Sequence, residues 1–232
     1  MFSYSGFRRW KDGLPFLLVI LTLLYGCQGA SGVSTSLLQE RDNTFKRIAI
    51  LPFQNFSADK AGKNTVAATM PALALQSKNE PETPERIIQD LFSAGIAAGN
   101  RFDLISPDRA GGTFEQVTQT SFKTTLSEAV QKVGSELEAD GVVVGYVYRF
   151  QERQGYDYAA EKPASVFFEI QLFRSRDGIM VWKGIYDMTQ TSLMENMFRA
   201  LYFFKDHGKW ITAKELAKEG MEDTLKKFPG LH

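Results

Sequence analysis

Residues 140–150 read Asp140-Gly141-Val142-Val143-Val144-Gly145-Tyr146-Val147-Tyr148-Arg149-Phe150, the strongest strand signal in the chain. β-Branched and aromatic side chains fit the pleated surface of a sheet, and Asp-Gly supplies the turn before the run. Two more strand-like runs follow, Val166 to Phe173 and Ile179 to Asp187, joined by Arg176-Asp177-Gly178. Asp-Gly accepts the positive φ angles of a type I′ turn, so these runs are expected to pair as a hairpin. A two-residue turn sets Ile170 opposite Ile185 and Phe168 opposite Asp187 on one face. On the other it sets Phe173 opposite Trp182, Glu169 opposite Tyr186 and Gln171 opposite Gly184. The first face reads as core. The second is mixed aromatic and polar, and either a C-terminal helix covers it or it lies open to a partner. Between the first strand and the hairpin, residues 151–162 form a polar tip that carries Tyr156 and Tyr158.

Upstream, Lys46-Arg47-Ile48-Ala49-Ile50-Leu51-Pro52-Phe53 is a short apolar run ended by Pro and reads as a buried strand. Residues 54–82 are a packed or functional connection. Thr83-Pro84-Glu85 then gives an N-cap, a Pro at the first helical position and a first-turn acid, and Ile87, Ile88, Leu91, Phe92 and Ile96 share one helical face up to Gly99-Asn100. Arg101 to Ile105 is a second strand, ended by Ser106-Pro107-Asp108. A loop through Gly111-Gly112 leads to a helix over 122–138 with Leu126, Val130, Val133 and Leu137 as its stripe. The C-terminal third is helical, with Leu193, Met194, Met197, Phe198, Leu201 and Tyr202 as one stripe and Leu216, Ala217, Met221, Leu225 and Phe228 as another. The expected order is β-α-β-α-β-β-β-α-α. This is an α/β class, α+β mixed: a single mixed sheet with helices packed on it, occupying residues 46–232.

The N-terminus has a different character. Arg8, Arg9 and Lys11 precede a 12-residue apolar run, Leu14 to Tyr25, that ends at Gly26-Cys27. A spanning helix needs about 20 residues, so residues 1–26 read as a signal peptide. Phe7 and Trp10 around the arginine pair fit a twin-arginine motif poorly, and the general secretory route is preferred. The chain's one Cys stands where the apolar run stops, and Leu24-Tyr25-Gly26-Cys27 resembles the lipobox of bacterial lipoproteins. That resemblance implies acylation of Cys27 after cleavage before it. By the same resemblance Gln28, in place of Asp, implies the outer membrane of a Gram-negative cell. Two buried acyl chains already give stable anchoring. Residues 27–45, rich in Gly and Ser, read as a lipidated flexible tether; its 18 residues after Cys27 span about 25 Å as a coil and at most about 60 Å extended.

Composition excludes several functions. Of 232 residues, 44% are hydrophobic and 12% aromatic, enough for a packed core and too many for disorder. Lys and Arg number 27 against 27 Asp and Glu, and removing 1–26 leaves 24 basic and 26 acidic side chains, a balance unlike that of a nucleic-acid binder. One Cys excludes an intramolecular disulfide and a Cys-rich zinc site, and two His, His207 and His232, leave little for a metal site or a triad. His207, in Lys205-Asp206-His207-Gly208-Lys209, reads as a cation at a helix end. Neither G-x-G-x-x-G nor G-x-x-x-x-G-K-[ST] occurs, so no cofactor is expected. Glu169 with Asp187 is the carboxylate pair closest to acid/base work, and solvated or salt-bridged carboxylates are the better reading.

The segments Arg47 to Phe53, Asn100 to Ile105 and Ala139 to Gly145 together resemble the α/β domain shared by the curli-secretion (CsgG-type) lipoproteins, the N-terminal domain of TolB and lipoprotein activators of cell-wall synthases. The resemblance covers residues 46–187 and implies a fold and an envelope compartment. A second set, Val181-Trp182-Lys183-Gly184, Asp187, Thr189-Gln190, Leu193, Asn196 and Trp210-Ile211-Thr212-Ala213, is similar to a segment of uncharacterised bacterial lipoproteins. The expectation is a non-catalytic periplasmic lipoprotein at the outer membrane, held by its lipid and binding or scaffolding an envelope protein, with no metal and no nucleic acid. Its partner surface is expected at Trp182 and Tyr186 or at Tyr156 and Tyr158. The alternative is a subunit of a curli-type secretion or export assembly. Such a channel needs long amphipathic hairpins, and the segments 54–82 and 106–121, interrupted by Pro71, Pro81 and Pro107, lack that alternation. The chain does not specify an oligomeric state.

Overall fold

The computed structural model describes residues 32–37, 44–56, 82–119, 125–156, 159–190 and 210–231. Among the described residues nine strands form, in chain order: β1 (Gly32–Leu37), β2 (Arg47–Ile50), β3 (Gln54–Asn55), β4 (Asp103–Ile105), β5 (Gly141–Gln151), β6 (Gln154–Tyr156), β7 (Ala159–Lys162), β8 (Ser165–Arg174) and β9 (Ile179–Thr189). The helices are α1 (Pro84–Ala98), α2 (Pro107–Gln119), α3 (Leu126–Glu136) and α4 (Ala213–Leu225). Seven strands make one mixed sheet in the order β1-β9-β8-β5-β2-β4, with β3 alongside the far end of β5; β6 and β7 pair with each other.

The Val-rich run of β5 is the hinge of this sheet. β5 lies parallel to β2 on one side and antiparallel to β8 on the other. The route from β2 through α1 to β4 steps one way across the sheet, and the route from β4 through α2 and α3 back to β5 steps the other way. Right-handed crossovers in opposite directions put their helices on opposite faces. The two resulting cores alternate along β5. Val143 and Val147 pack with Ile88, Phe92 and Ile96 of α1, whereas Val142 and Val144 pack with Phe114 of α2 and Val130 and Val133 of α3.

Local chemistry supports these elements. Thr125 and Glu128 at α3, and Thr212 and Glu215 at α4, form reciprocal capping boxes that satisfy first-turn N–H groups. Ile211 N–H donates to the Gln190 side-chain oxygen at 3.0 Å, and Ala213 N–H to a Glu152 carboxylate oxygen at 3.1 Å. The segment Trp210 to Ala213 therefore docks α4 onto the end of the sheet.

The hairpin register differs from expectation. The turn takes four residues, Ser175 to Gly178, and the Arg174 carbonyl accepts from Gly178 N–H at 2.8 Å. The Asp177 carboxylate closes this loop by accepting from Arg174 Nη2 at 2.5 Å and from Ile179 N–H at 3.2 Å. Gly178, at φ +65°, has no room for a Cβ, which would lie 2.5 Å from the Ser127 carbonyl oxygen. The longer turn and an irregularity between Leu172 and Phe173 slip the pairing by one residue, so Phe168 faces Tyr186, Ile170 faces Gly184 and Leu172 faces Trp182. With a side-chain period of two, that slip exchanges the faces.

Trp182 and Tyr186 are accordingly core residues, correcting their expected role in partner binding. Trp182 is fully buried and its ring meets Phe228 at 5.0 Å. Tyr186 lies under α4, where a Cβ on Gly220 would stand 2.5 Å from its ring. α4 thus covers Trp182, Gly184 and Tyr186, whereas Phe173, Glu169 and Gln171, expected on the same face, lie on the opposite side of the sheet.

Three other expectations change. Residues 107–119 are helix rather than loop: Pro107 starts it, and Ala110, Phe114 and Val117 bury one face, outweighing the roughly 1 kcal/mol per Gly that Gly111-Gly112 costs a helix. Part of the tether, residues 32–37, is an edge strand antiparallel to β9. The polar tip contains the β6–β7 hairpin. Cys27, Tyr158, His207 and the stripe 193–202 lie outside the described residues.

Candidate functional site: an aromatic sheet face open among the described residues

α2 and α3 cover β2, the first half of β5 and Phe173, and their core takes in Tyr146 at its margin. Beyond that margin Tyr148, Phe167 and Phe56 belong to neither helix-closed core. A β-bulge between Val147 and Arg149 explains why aromatic and charged groups collect here. Val147 pairs with Phe168 and Arg149 with Phe167, so Tyr148 is the extra residue. A bulge breaks the strict alternation of sides, and Tyr146, Tyr148 and Arg149 come to share one face.

The aromatic centre is continuous. Tyr148 and Phe167 have ring centroids 4.8 Å apart, Phe56 lies 5.7 Å from Tyr146 and 6.1 Å from Tyr148, and Phe56 is 48% exposed. Burial pushes the Tyr146 phenol up to about 12, with smaller contributions from Tyr148 and Glu169. The Tyr148 phenol is raised by burial and then by Glu169.

Ion pairs rim this centre. The Arg149 guanidinium lies 5.8 Å from the Phe167 ring centroid, donates to Ser165 Oγ at 2.6 Å and pairs with Asp187. Lys183 Nζ meets Glu169 at 2.8 Å, and the Gln171 amide donates to the same carboxylate. Glu169 and Asp187, the carboxylate pair considered for acid/base work, are thus each held by a cation. The arrangement is suited to contact rather than proton transfer.

Elsewhere, a shallow groove between α3 and the β8–β9 turn is lined by Lys132, Glu138, Asp140, Arg174 and Ser175 among others. Its charges hold the fold together. Asp140 Oδ2 accepts from the N–H groups of Lys46 and Arg47 at 2.8 and 2.9 Å, Arg174 bonds Asp177, and Glu138 meets Arg47 at 3.5 Å. Among the described residues no group of three His, Cys, Asp or Glu is placed to hold a metal, and no helix is long and apolar enough to cross a membrane. The strands β6 and β7 have three and four residues, whereas a membrane-crossing strand takes about 9–11.

Of the expected partner residues, the structure leaves Tyr156 at the surface, 81% exposed on the β6–β7 hairpin, and places Trp182 and Tyr186 in the core. The sequence reading missed Phe56, Tyr148, Arg149 and Phe167 as a group. Tyr146-Val147-Tyr148 showed alternation, but nothing in the sequence marked the bulge that adds Arg149 to that face.

No protein-family model matches the chain, and no curated protein matches it. Solved structures do. The chain is similar to the PelC dodecamer from Paraburkholderia phytofirmans at 12% identity and a TM-score of 0.46, covering 83% of this chain and 94% of that one. It is similar to lipoprotein GNA1162 from Neisseria meningitidis at 15% identity and a TM-score of 0.39, covering 70% of this chain and 98% of that one. The LpoB C-terminal domain from Escherichia coli matches at 12% identity and a TM-score of 0.37, covering 66% of this chain and 90% of that one. These are low-identity likenesses of chain course, and they assign no activity to this chain.

Proposed function

We propose that this protein is a non-catalytic lipoprotein of the bacterial envelope. In this reading residues 1–26 are a signal peptide, acylated Cys27 anchors the protein to the periplasmic face of the outer membrane, and the uncovered sheet face binds another envelope protein. The observation that carries the binding reading is the Phe56, Tyr148 and Phe167 centre rimmed by the Arg149–Asp187 and Lys183–Glu169 pairs. An aromatic centre with a charged, solvated rim is the anatomy of a protein–protein interface. The anchor reading is supported by the basic segment, the 12-residue apolar run and the lipobox resemblance at Leu24 to Cys27.

The test compares partners retained by the full-length acylated protein and by Phe167→Arg. A partner held by the parent and lost from a variant with an unchanged melting temperature supports the reading. Identical retention by both removes this face from consideration. For the anchor, Cys27→Ala is expected to leave the protein uncleaved or released from membranes. Unchanged mass and fractionation would sink it.

A further inference from the structure

We infer that β1 pairs with β1 of a second copy of this chain, so that two seven-strand sheets join edge to edge into one continuous sheet.

The sheet ends in two unlike edges, β4 and β1. β4 is three residues long, its exposed Asp103 binds Arg47, and Pro107 follows shortly after it. Short length, charge and proline are devices that keep an edge from pairing further. β1 has none of them. It runs six residues, Gly32-Val33-Ser34-Thr35-Ser36-Leu37, with no charge, no proline and no break in its register with β9. In an antiparallel ladder alternate residues point their N–H and C=O groups at the neighbour, so three of the six residues turn these groups away from β9. Among the described residues no hydrogen bond other than those of the β1–β9 ladder reaches 32–37. A row of outward N–H and C=O groups is complementary to another extended strand.

A second copy fits because the strand matches itself. A two-fold axis perpendicular to the sheet joins two copies of β1 antiparallel and keeps each face on its own side, so residues of like facing oppose one another. Centred on Thr35, this pairing sets Thr35 opposite its own counterpart and the exposed Ser34 opposite Ser36 of the second copy. Facing Thr and Ser hydroxyls hydrogen-bond across strands. Thr35 Oγ1 is enclosed and has no hydrogen-bond partner within the chain, and a turn of its side chain toward the facing hydroxyl supplies one. The helices leave room for the joint. α4 lies over β9, where Thr224 stands above Gly184, and three strand spacings, about 14 Å, separate β9 from its counterpart. A helix is about 10–12 Å across, so the two copies of α4 lie side by side. α2 and α3 cover β2 and the first half of β5, farther from the joint.

The experiment measures the mass of the full chain in a non-ionic detergent by sedimentation, over a range of concentrations, for the parent and two double variants. Both variants carry Ser36→Glu, beside Lys183 on β9, and they differ only at position 34, beside Ile185. Ser34→Glu with Ser36→Glu sets like charges opposite each other across the joint, whereas Ser34→Lys with Ser36→Glu sets opposite charges there. The parent is expected to be a dimer. The first variant should raise its dissociation constant several-fold at an unchanged melting temperature, and the second should hold at least as tightly as the parent. A parent of one copy, which would leave the edge to a strand of another protein, overturns the inference. Equal dissociation constants for the two variants would overturn it as well, because the joint would then not run through 34 and 36.

Discussion

Two aromatic clusters stand back to back on the same strands, and they differ in what lies over them. On one face Phe168, Trp182 and Tyr186 are sealed by α4 and by Phe228, which also meets Phe92 and Phe102 at 5.8 and 5.9 Å. On the other, Tyr148 and Phe167 stay half-buried with ion pairs around them. The residue types are nearly the same. Aromatic content does not distinguish an open face from a core; the presence of a helix does. α4 sits close because Gly184 and Gly220 present no side chain where Trp182, Thr224 and Tyr186 crowd in.

Removing the largest buried ring should separate the two clusters most clearly. Trp182→Ala is expected to cost about 3–5 kcal/mol, enough to unfold much of the population, and urea unfolding measures it. Equal losses from Trp182→Ala and Phe167→Ala would mean that both faces are covered in solution. Gly220→Ala tests the close approach of α4 and should cost about 1–3 kcal/mol through overpacking against the Tyr186 ring. The melting temperature should fall, and a neutral result would place α4 farther from the sheet.

The next effect is smaller and depends on pH. Hydrogen bonds from Arg174 hold the Asp177 carboxyl below its ordinary value. Its stabilisation is therefore complete above the unfolded value of about 4 and is lost as pH falls through the lower folded value. Asp177→Asn should cost about 1–2 kcal/mol at pH 7, and the gap from the parent should close in acid. A pH-independent gap would mean that the turn is held by backbone alone.

The open face has the opposite sign. Tyr146 ionises near 12 when folded. Stability from its neutral phenol is full below the unfolded value of about 10 and is lost as pH rises toward the folded one. An absorbance titration against Tyr146→Phe should show this phenol ionising well above 10. Phe167→Ala is the mildest change, about 1 kcal/mol for a half-buried ring, with its main effect on partner retention.

Much of the frame was legible. Thr83-Pro84-Glu85 marked the start of α1, and its stripe of Ile87, Ile88, Phe92 and Ile96 is buried. The runs at 141–150 and 166–187 became β5, β8 and β9, and the stripe from Leu216 to Phe228 became α4 and its continuation. Gly111-Gly112 misled, because tertiary packing of Ala110, Phe114 and Val117 outweighs a local cost that sequence reading weighs alone. The candidate face was not legible because a bulge has no composition of its own, and one extra residue decides which side of the sheet Arg149 joins.

The amino-acid order by itself determined most of the alternation of strands and helices and the separation of an apolar N-terminal run from a mixed domain. These depend on contacts within a few residues, where periodicity and turn chemistry speak directly. The tertiary structure alone decided the hairpin register, the burial of Trp182 and Tyr186, and the capture of residues 32–37 by β9, which shortens the tether to Cys27. Each of these compares the energies of surfaces far apart in the chain. A one-residue slip leaves every local preference satisfied while exchanging the two faces of a strand.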